Sequence, residues 1–416
     1  MENVLNNQGD VRDKSNVTSD NAASQAKQNL YADLDSNRSN TLAMTKEQTV
    51  GNPSVQHLIP DAYSVIPPYV LDEIAQRSGN GAFSSAARDA ENMQSHGPLA
   101  RPEVSAGAGS VRETYDAKGT TSLPGTKARF EGDAPTGNTE VDQAYDFTGF
   151  VRDFYKKEFN RDSIDGNGMK LISTVNYGKN YENAFWNGSQ MTYGNPGPNS
   201  PFKTFMLLDV AGHEITHGVT EKEANETYFG QSGALNESNS DIFGELIKQY
   251  SKNQTADQAD WLVGEGIWKD GIKGRALRDM LNPGTAYNDP KVGKDSQPAD
   301  MAHYKQTYGD NGGVHYNSGI PNRAFALFAK ATGGHAWEDP GHIWFTARKA
   351  AGANPSFASF AYETIEAAKA LGKPGEVENL QKAWETVGVK PDKNGKDILT
   401  PKVATTPLLE DLKQSA

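Results

Sequence analysis

The stretch His213-Glu214-Ile215-Thr216-His217 constrains this chain more than any other. On a helix, residues four apart are neighbours on one face. Both imidazoles can then reach one cation at about 2.0–2.1 Å, while Glu214 projects beside them toward the cation's open position. The pattern therefore calls for a helix carrying half of a catalytic zinc site, in which Glu214 is a general base rather than a ligand. A buried helix whose histidines are satisfied by protein groups is the alternative, and the residues downstream bear on the choice.

A catalytic zinc takes three protein ligands and keeps one position for water, so a third ligand has to come from a separate element. Glu237 is the candidate. It lies in Asn236-Glu237-Ser238-Asn239-Ser240-Asp241-Ile242-Phe243-Gly244, which opens a second helical pattern with Ile242, Leu246 and Tyr250 on one stripe and Phe243 and Ile247 beside it. Metal-bound imidazoles usually donate their other ring proton to an acceptor, which sets the tautomer and raises ligand basicity. Asp241, four residues from Glu237, can accept from His213, and Asn236 can accept from His217. The lesser alternative for Asp241, taken alone, is an ordinary solvated helix carboxylate.

Three segments together, HEITHGVTE, SGALNESNSDIFG and DNGGVHYNSGIPNRAF, resemble the thermolysin family of zinc endopeptidases, and the resemblance runs from about Val111 to about Val389. It implies an α+β, two-lobed fold with a β-rich first lobe, a helical second lobe and the zinc helix between them. It also makes Glu237 the third zinc ligand. The exopeptidase motif Gly-x-Met-Glu-Asn does not occur upstream, which favours an endopeptidase. Asn183 and Ala184, in Asn183-Ala184-Phe185-Trp186-Asn187, match the edge strand that holds an extended peptide by hydrogen bonds, a sequence-tolerant mode. Tyr228 and His315 match the donors to the oxygen of the tetrahedral intermediate, and Asp310 the carboxylate that orients His315. Arg278 matches the arginine that grips a substrate carbonyl. Leu277 and Val210 match walls of an apolar pocket, implying preference for an apolar residue after the scissile bond. His57, His96, His303, His335 and His342 lack such context and read as surface or core residues.

One departure concerns calcium. Asp209, Asp260 and Glu265 match carboxylates of the double calcium site found in many family members, but Lys248 stands where a bridging glutamate is expected and Leu262 at another ligand position. An ammonium offers donors and no acceptor, so it cannot lie at the centre of a cation cluster. The expectation is that Lys248 pairs with these carboxylates and the double Ca2+ site is absent; other calcium sites stay undecided.

The organisation expected along 416 residues is a polar extension over 1–58, a propeptide and processing linker over 59–109, catalytic lobes over 110–228 and 229–390, and a tail over 391–416. Residues 1–58 are rich in Asn, Ser, Asp and Gln and read as disordered. Ile66-Pro67-Pro68-Tyr69-Val70-Leu71-Asp72-Glu73-Ile74 reads as a proline-led short helix with Val70, Leu71 and Ile74 on an apolar face. It resembles the short propeptide of protealysin-like family members, with a proline-rich linker or a partner-binding arm as alternatives. Such a propeptide would cover the cleft, with self-cleavage between about Ala86 and Gly109. The formal charge of -12 argues against general nucleic-acid binding, and no run of about 20 apolar residues spans a membrane. The first residues lack a basic start and an apolar core, so no secretory signal is expected. That leaves the cytoplasm or export by another route, in a bacterium. With 0 cysteines there is neither a disulfide framework nor a thiolate metal site. The expected partners are peptide or protein substrates and the chain's own propeptide, for a monomer.

Overall fold

The computed structural model describes residues 63–95, 111–224, 226–370 and 372–395. Its first lobe is built on a six-stranded mixed sheet with the order β1-β5-β6-β4-β2-β3. The strands are β1 (Tyr63–Ser64), β2 (Arg112–Asp116), β3 (Thr126–Phe130), β4 (Leu171–Tyr177), β5 (Ala184–Trp186) and β6 (Met191–Gly194). Strand β4 runs parallel to both β2 and β6, whereas β5 lies antiparallel to β6 and to β1. Two helices follow β1, α1 (Pro68–Ser78) and α2 (Gly81–Ser95). Helix α1 begins on the Pro-Pro pair, ends at Gly79 with φ 66°, and buries Val70, Leu71 and Ile74, the apolar face expected for it.

Helix α3 (Thr139–Phe159) packs on this sheet for reasons visible in its sequence. Asn138 caps it by accepting from the Glu140 and Val141 amides, and Val141, Ala144, Tyr145, Thr148, Val151, Phe154 and Tyr155 line its buried face at helical spacing. Next comes α4 (Leu208–Glu223), which carries the His-Glu-x-x-His stretch and is buried from Asp209 to Thr220. Helix α5 (Gly230–Lys252) carries Glu237 and starts six residues before the Asn236 that opens its apolar pattern. The two approach closely through glycines. A Cβ on Gly212 would lie 3.0 Å from the Gly244 Cα, and one on Gly244 would lie 2.5 Å from the Asp209 carbonyl oxygen.

The second lobe adds α6 (Gly309–Asn317), α7 (Gly319–Thr332), α8 (Asp339–Ala350), α9 (Phe357–Ala370) and α10 (Pro374–Thr386). Trp344 of α8 lies at its centre, with ring centroids 5.0 Å from Phe325, 5.4 Å from Phe360 and 5.3 Å from Trp384. Ala361, Ile365 and Ala368 of α9 are buried as their spacing suggests, and Leu371 lies outside the described residues. The lobe is not helical throughout. Between α5 and α6 the chain forms mainly turns and four two-residue strands, β7 (Leu262–Val263), β8 (Arg278–Asp279), β9 (Asn288–Asp289) and β10 (Gly293–Lys294), paired β7 with β8 and β9 with β10. Aspartates hold that stretch: Asp279 accepts from the Leu281 and Asn282 amides, and Asp295 from those of Gly284, Ala286 and Gln297. Residues 1–62, residues 96–110 and the tail beyond 395 lie outside the described residues.

Candidate active site

The zinc helix α4 lies against the edge of the sheet, where Gly218 lets Trp186 of β5 approach; a Cβ there would lie 2.9 Å from the indole. On the opposite side α5 brings Glu237 to the histidines. His213 Nε2 and His217 Nε2 are 3.0 Å apart, and Glu237 oxygens lie 3.5 Å from the first and 3.4 Å from the second. Metal bonds of about 2.0–2.1 Å at a tetrahedral angle place donor atoms about 3.3 Å apart, so this buried triangle has the dimensions of one face of a zinc tetrahedron. The other ring nitrogens are engaged. His213 Nδ1 is 2.8 Å from Asp241 Oδ1 and His217 Nδ1 is 2.7 Å from Asn236 Oδ1. With the protons on Nδ1, both Nε2 lone pairs point at one spot, an arrangement that a cation relieves. Burial, then the neighbouring His213, hold the His217 pKa well below its usual value, so it stays a neutral ligand.

Three further groups surround this triangle. Glu214 accepts the Trp186 amide at 3.0 Å through Oε2, while its Oε1 is buried with no hydrogen bond to protein. Burial, reinforced by the Glu237 carboxylate, raises its pKa well above the ordinary glutamate value. His315 comes from α6, whose residues Asp310 to Gly313 all have left-handed backbone angles. That turn brings Asp310 back onto the ring: Oδ1 is 2.5 Å from His315 Nδ1, and Oδ2 accepts the His315 amide at 2.9 Å. Burial disfavours the imidazolium, but Glu237 and Asp310 outweigh it and push the His315 pKa up to about 9. Tyr228 donates its hydroxyl to Glu237 and lies 3.4 Å from His315 Nε2.

Asp241 links the metal residues to the cleft. Besides His213 it receives Arg278 at 2.6 and 2.8 Å and Asn322 at 2.9 Å. Burial works against its charge, but Arg278 and His213 hold its pKa well below the carboxylate range. Such a carboxylate is a strong acceptor for the His213 ring. Asp241 is thus a buried, fully engaged group, and the solvated alternative does not describe it.

The edge strand and its neighbours hold a peptide, and that peptide is the chain's own N-terminal segment. Tyr63 and Ser64 pair with Trp186 and Phe185, and the Val65 amide donates to the Ala184 carbonyl at 3.3 Å. Asn183 accepts the Ile66 amide at 3.0 Å and donates to the Ile66 carbonyl at 3.1 Å, while Arg278 donates to the Val65 carbonyl at 3.0 Å. Val210 and Leu277 are buried in the same apolar core as Val65. Tyr63 stacks on His217 at 4.2 Å, and Tyr69 of α1 stacks on Tyr316 at 3.8 Å.

Around Lys248, where no double calcium site is expected, Nζ lies 2.6 Å from Asp260, 2.8 Å from Glu245 and 2.6 Å from the Leu262 carbonyl. Two details differ from the sequence reading. Glu265 pairs with Lys252 instead, because both are half-exposed at the rim, and Asp209 accepts the Val210 and Gly264 amides. Glu245 makes the direct contact instead, with Asp209 acting on the ammonium only through its charge; Glu245 is three residues from Lys248 on α5, a spacing that could have been read. The sequence also gave no role to Asn322 or to Tyr63-Ser64-Val65. The β-branched and aromatic character of Tyr63 to Ile66 was the available signal for a strand. Most of the histidines set aside are placed as expected: His303 is exposed, His335 half-buried and His342 buried, while His57 and His96 lie outside the described residues.

A buried His-His-Glu donor set between a sheet lobe and a helical lobe, with a free carboxylate oxygen beside it, defines a metallopeptidase of the zinc-helix class. Comparison with known proteins gives the family. The description "Thermolysin metallopeptidase, catalytic domain" matches residues 88–221, and "Thermolysin metallopeptidase, alpha-helical domain" matches residues 224–389. An extracellular metalloprotease of Pectobacterium carotovorum is 46% identical over 335 residues, covering 79% of this chain and 96% of that protein. Protease PrtS of Photorhabdus is 42% identical over 351 residues, covering 80% and 94%. Among solved structures, the precursor of protealysin from Serratia proteamaculans matches with a TM-score of 0.72 and 47% identity, covering 79% of this chain and 99% of that one. The chain belongs to the thermolysin family of metallopeptidases and is a metalloendopeptidase of protealysin type. Among the described residues, no helix is long and apolar enough to cross a membrane.

Proposed function

We propose that this protein is a neutral endopeptidase that prefers an apolar residue after the scissile bond and is made as a self-processing proenzyme. His213, His217 and Glu237 would hold one zinc ion, which polarises a carbonyl and makes water nucleophilic near neutral pH. Glu214 takes the proton of the attacking water on its unpartnered oxygen, while the Trp186 amide steadies the other, and passes it to the leaving amine. His315, held by Asp310 at Nδ1, donates with Tyr228 to the oxygen that gains charge. Asn183, Ala184 and Arg278 orient the peptide, and Val210 and Leu277 border the pocket for its apolar side chain.

The observation that carries this reading is the convergence of two imidazole Nε2 atoms, whose Nδ1 atoms face acceptors, and a carboxylate beside Glu214. Glu214→Ala should abolish peptide hydrolysis with zinc still bound stoichiometrically, whereas Glu237→Ala should lose both. Appreciable turnover by Glu214→Ala would falsify the mechanism. We also propose that the ammonium of Lys248 replaces the double calcium cluster, and that residues 63–78 restrict access to the cleft. Part of the expected maturation window is helical in α2, up to Ser95, and an extended-peptide site does not take a helix. The final maturation cut is therefore assigned to the remainder, residues 96–109.

A further inference from the structure

The N-terminal segment lies in the cleft in the register of a substrate, and we infer that the Ser64–Val65 peptide bond is a self-cleavage site, cut in cis before the rest of the propeptide is removed. The inference rests on the endopeptidase reading above. Each backbone group from Val65 onward has the partner a substrate residue after the scissile bond requires: the Val65 amide with Ala184, its carbonyl with Arg278, and both Ile66 groups with Asn183. The Val65 amide pairs with Ala184, two residues before Trp186, whose own amide holds Glu214 at 3.0 Å. Glu214 is the group that must protonate a leaving nitrogen, so the nitrogen the strand pairing brings to that place is Val65 N.

On the other side of the bond, Tyr63 lies against the metal residue His217 at 4.2 Å and edge-on to Tyr228 at 4.9 Å. The Ser64 carbonyl carbon is thereby bracketed between Tyr63, beside the metal and oxyanion groups, and Val65, beside the base. All four residues Tyr63 to Ile66 are at least 96% buried, so this is a seated strand rather than a passing loop. Val65 places an apolar side chain in the core shared with Val210 and Leu277, as the proposed specificity demands.

The reaction consumes one water. Its oxygen bonds to the Ser64 carbonyl carbon, the C–N bond breaks, and Glu214 relays both protons of that water in turn to Val65 N, leaving a carboxylate on Ser64 and an ammonium on Val65. No other reactant is needed. The cut frees residues 1–64, while the new N-terminus stays tethered through α1 and α2 in the cleft. Latency thus outlasts the first cut.

Full-length protein with zinc should yield, by intact mass and N-terminal sequencing, a species beginning at Val65 before any shorter one. Its half-time should not change over about a hundredfold dilution. Glu214→Ala should stay uncut. Val65→Asp, which would bury a charge in the apolar pocket, should slow this cut at least about tenfold, while Val65→Leu should still be cut there. Glu214-dependent cuts elsewhere with Ser64–Val65 intact would overturn the inference and leave the endopeptidase reading standing. No Glu214-dependent cut anywhere would overturn both, and a rate rising with concentration would overturn the cis step.

Discussion

Glu226 shows at the scale of one residue what burial does to a carboxyl outside the active site. Both its oxygens are buried without a hydrogen-bond partner. Burial pushes its pKa up to about 8 from 4.5, with the Arg348 guanidinium opposing. Because the folded value is raised, this group's contribution to stability is complete below the unfolded pKa and is lost as pH climbs toward the folded one. Wild-type stability should therefore decline between about pH 5 and 8 with a slope of at most about 1.4 kcal/mol per pH unit from this group. Glu226→Gln should flatten that decline in urea titrations, and parallel curves for the two proteins would remove Glu226 as its source. The residues of the site carry a different lesson. His213, Glu214, His217 and Glu237 were legible from spacing and resemblance, but the bidentate contact between Arg278 and Asp241 was not. The two are 37 residues apart, and no local pattern connects them.

At the scale of elements, the site depends on how closely α4 and α5 approach. A methyl group on Gly244 would meet the Asp209 carbonyl oxygen at 2.5 Å and the His213 amide nitrogen at 3.1 Å, both backbone atoms that cannot swing away. Gly244→Ala should push α5 outward and cost about 1–3 kcal/mol. Because Glu237 rides on α5, zinc should also bind more weakly, which competition with a chelator would measure; unchanged affinity would show that the helices separate without moving the ligand. Lys248 tests the same helix nearer its other end. Burial lowers the pKa of its ammonium, but Glu245, Asp209 and Asp260 outweigh this and hold it above the ordinary lysine value. Lys248→Glu should lower the melting temperature without calcium and recover much of the loss when calcium is added. A melting temperature indifferent to calcium in both proteins would contradict the replacement of a cation cluster by Lys248. Helices α1 and α9 were visible in their apolar spacing, whereas β7 and β8 were not, since two-residue strands leave no periodicity to read.

For the whole molecule the issue is access. The described N-terminal segment buries Tyr63, Val65, Ile66, Val70, Leu71 and Ile74 in the same core as Val210, Ile215 and Leu277, so the cleft and the segment share one apolar interior. A version lacking residues 1–110 should hydrolyse an external peptide without delay, while freshly made full-length protein should show a lag that ends as maturation proceeds. Equal initial rates would show that the segment does not limit access, and would leave it a folding role.

The sequence by itself determined the candidate donor set and the family: a helix with two imidazoles and a glutamate between them, a second glutamate four residues from an aspartate, and the resemblance that joins these to a two-lobed peptidase. It could do so because helical periodicity turns spacing into geometry over one or two turns. Only the tertiary structure decided which groups meet across the chain. It placed Ile66 on Asn183 over 117 residues and Val65 on Arg278 over 213, and it chose Glu245 over Glu265 as a partner for Lys248. Those choices follow from packing, which selects among many compatible partners by burial and close contact, and neither quantity is written in the local order of residues.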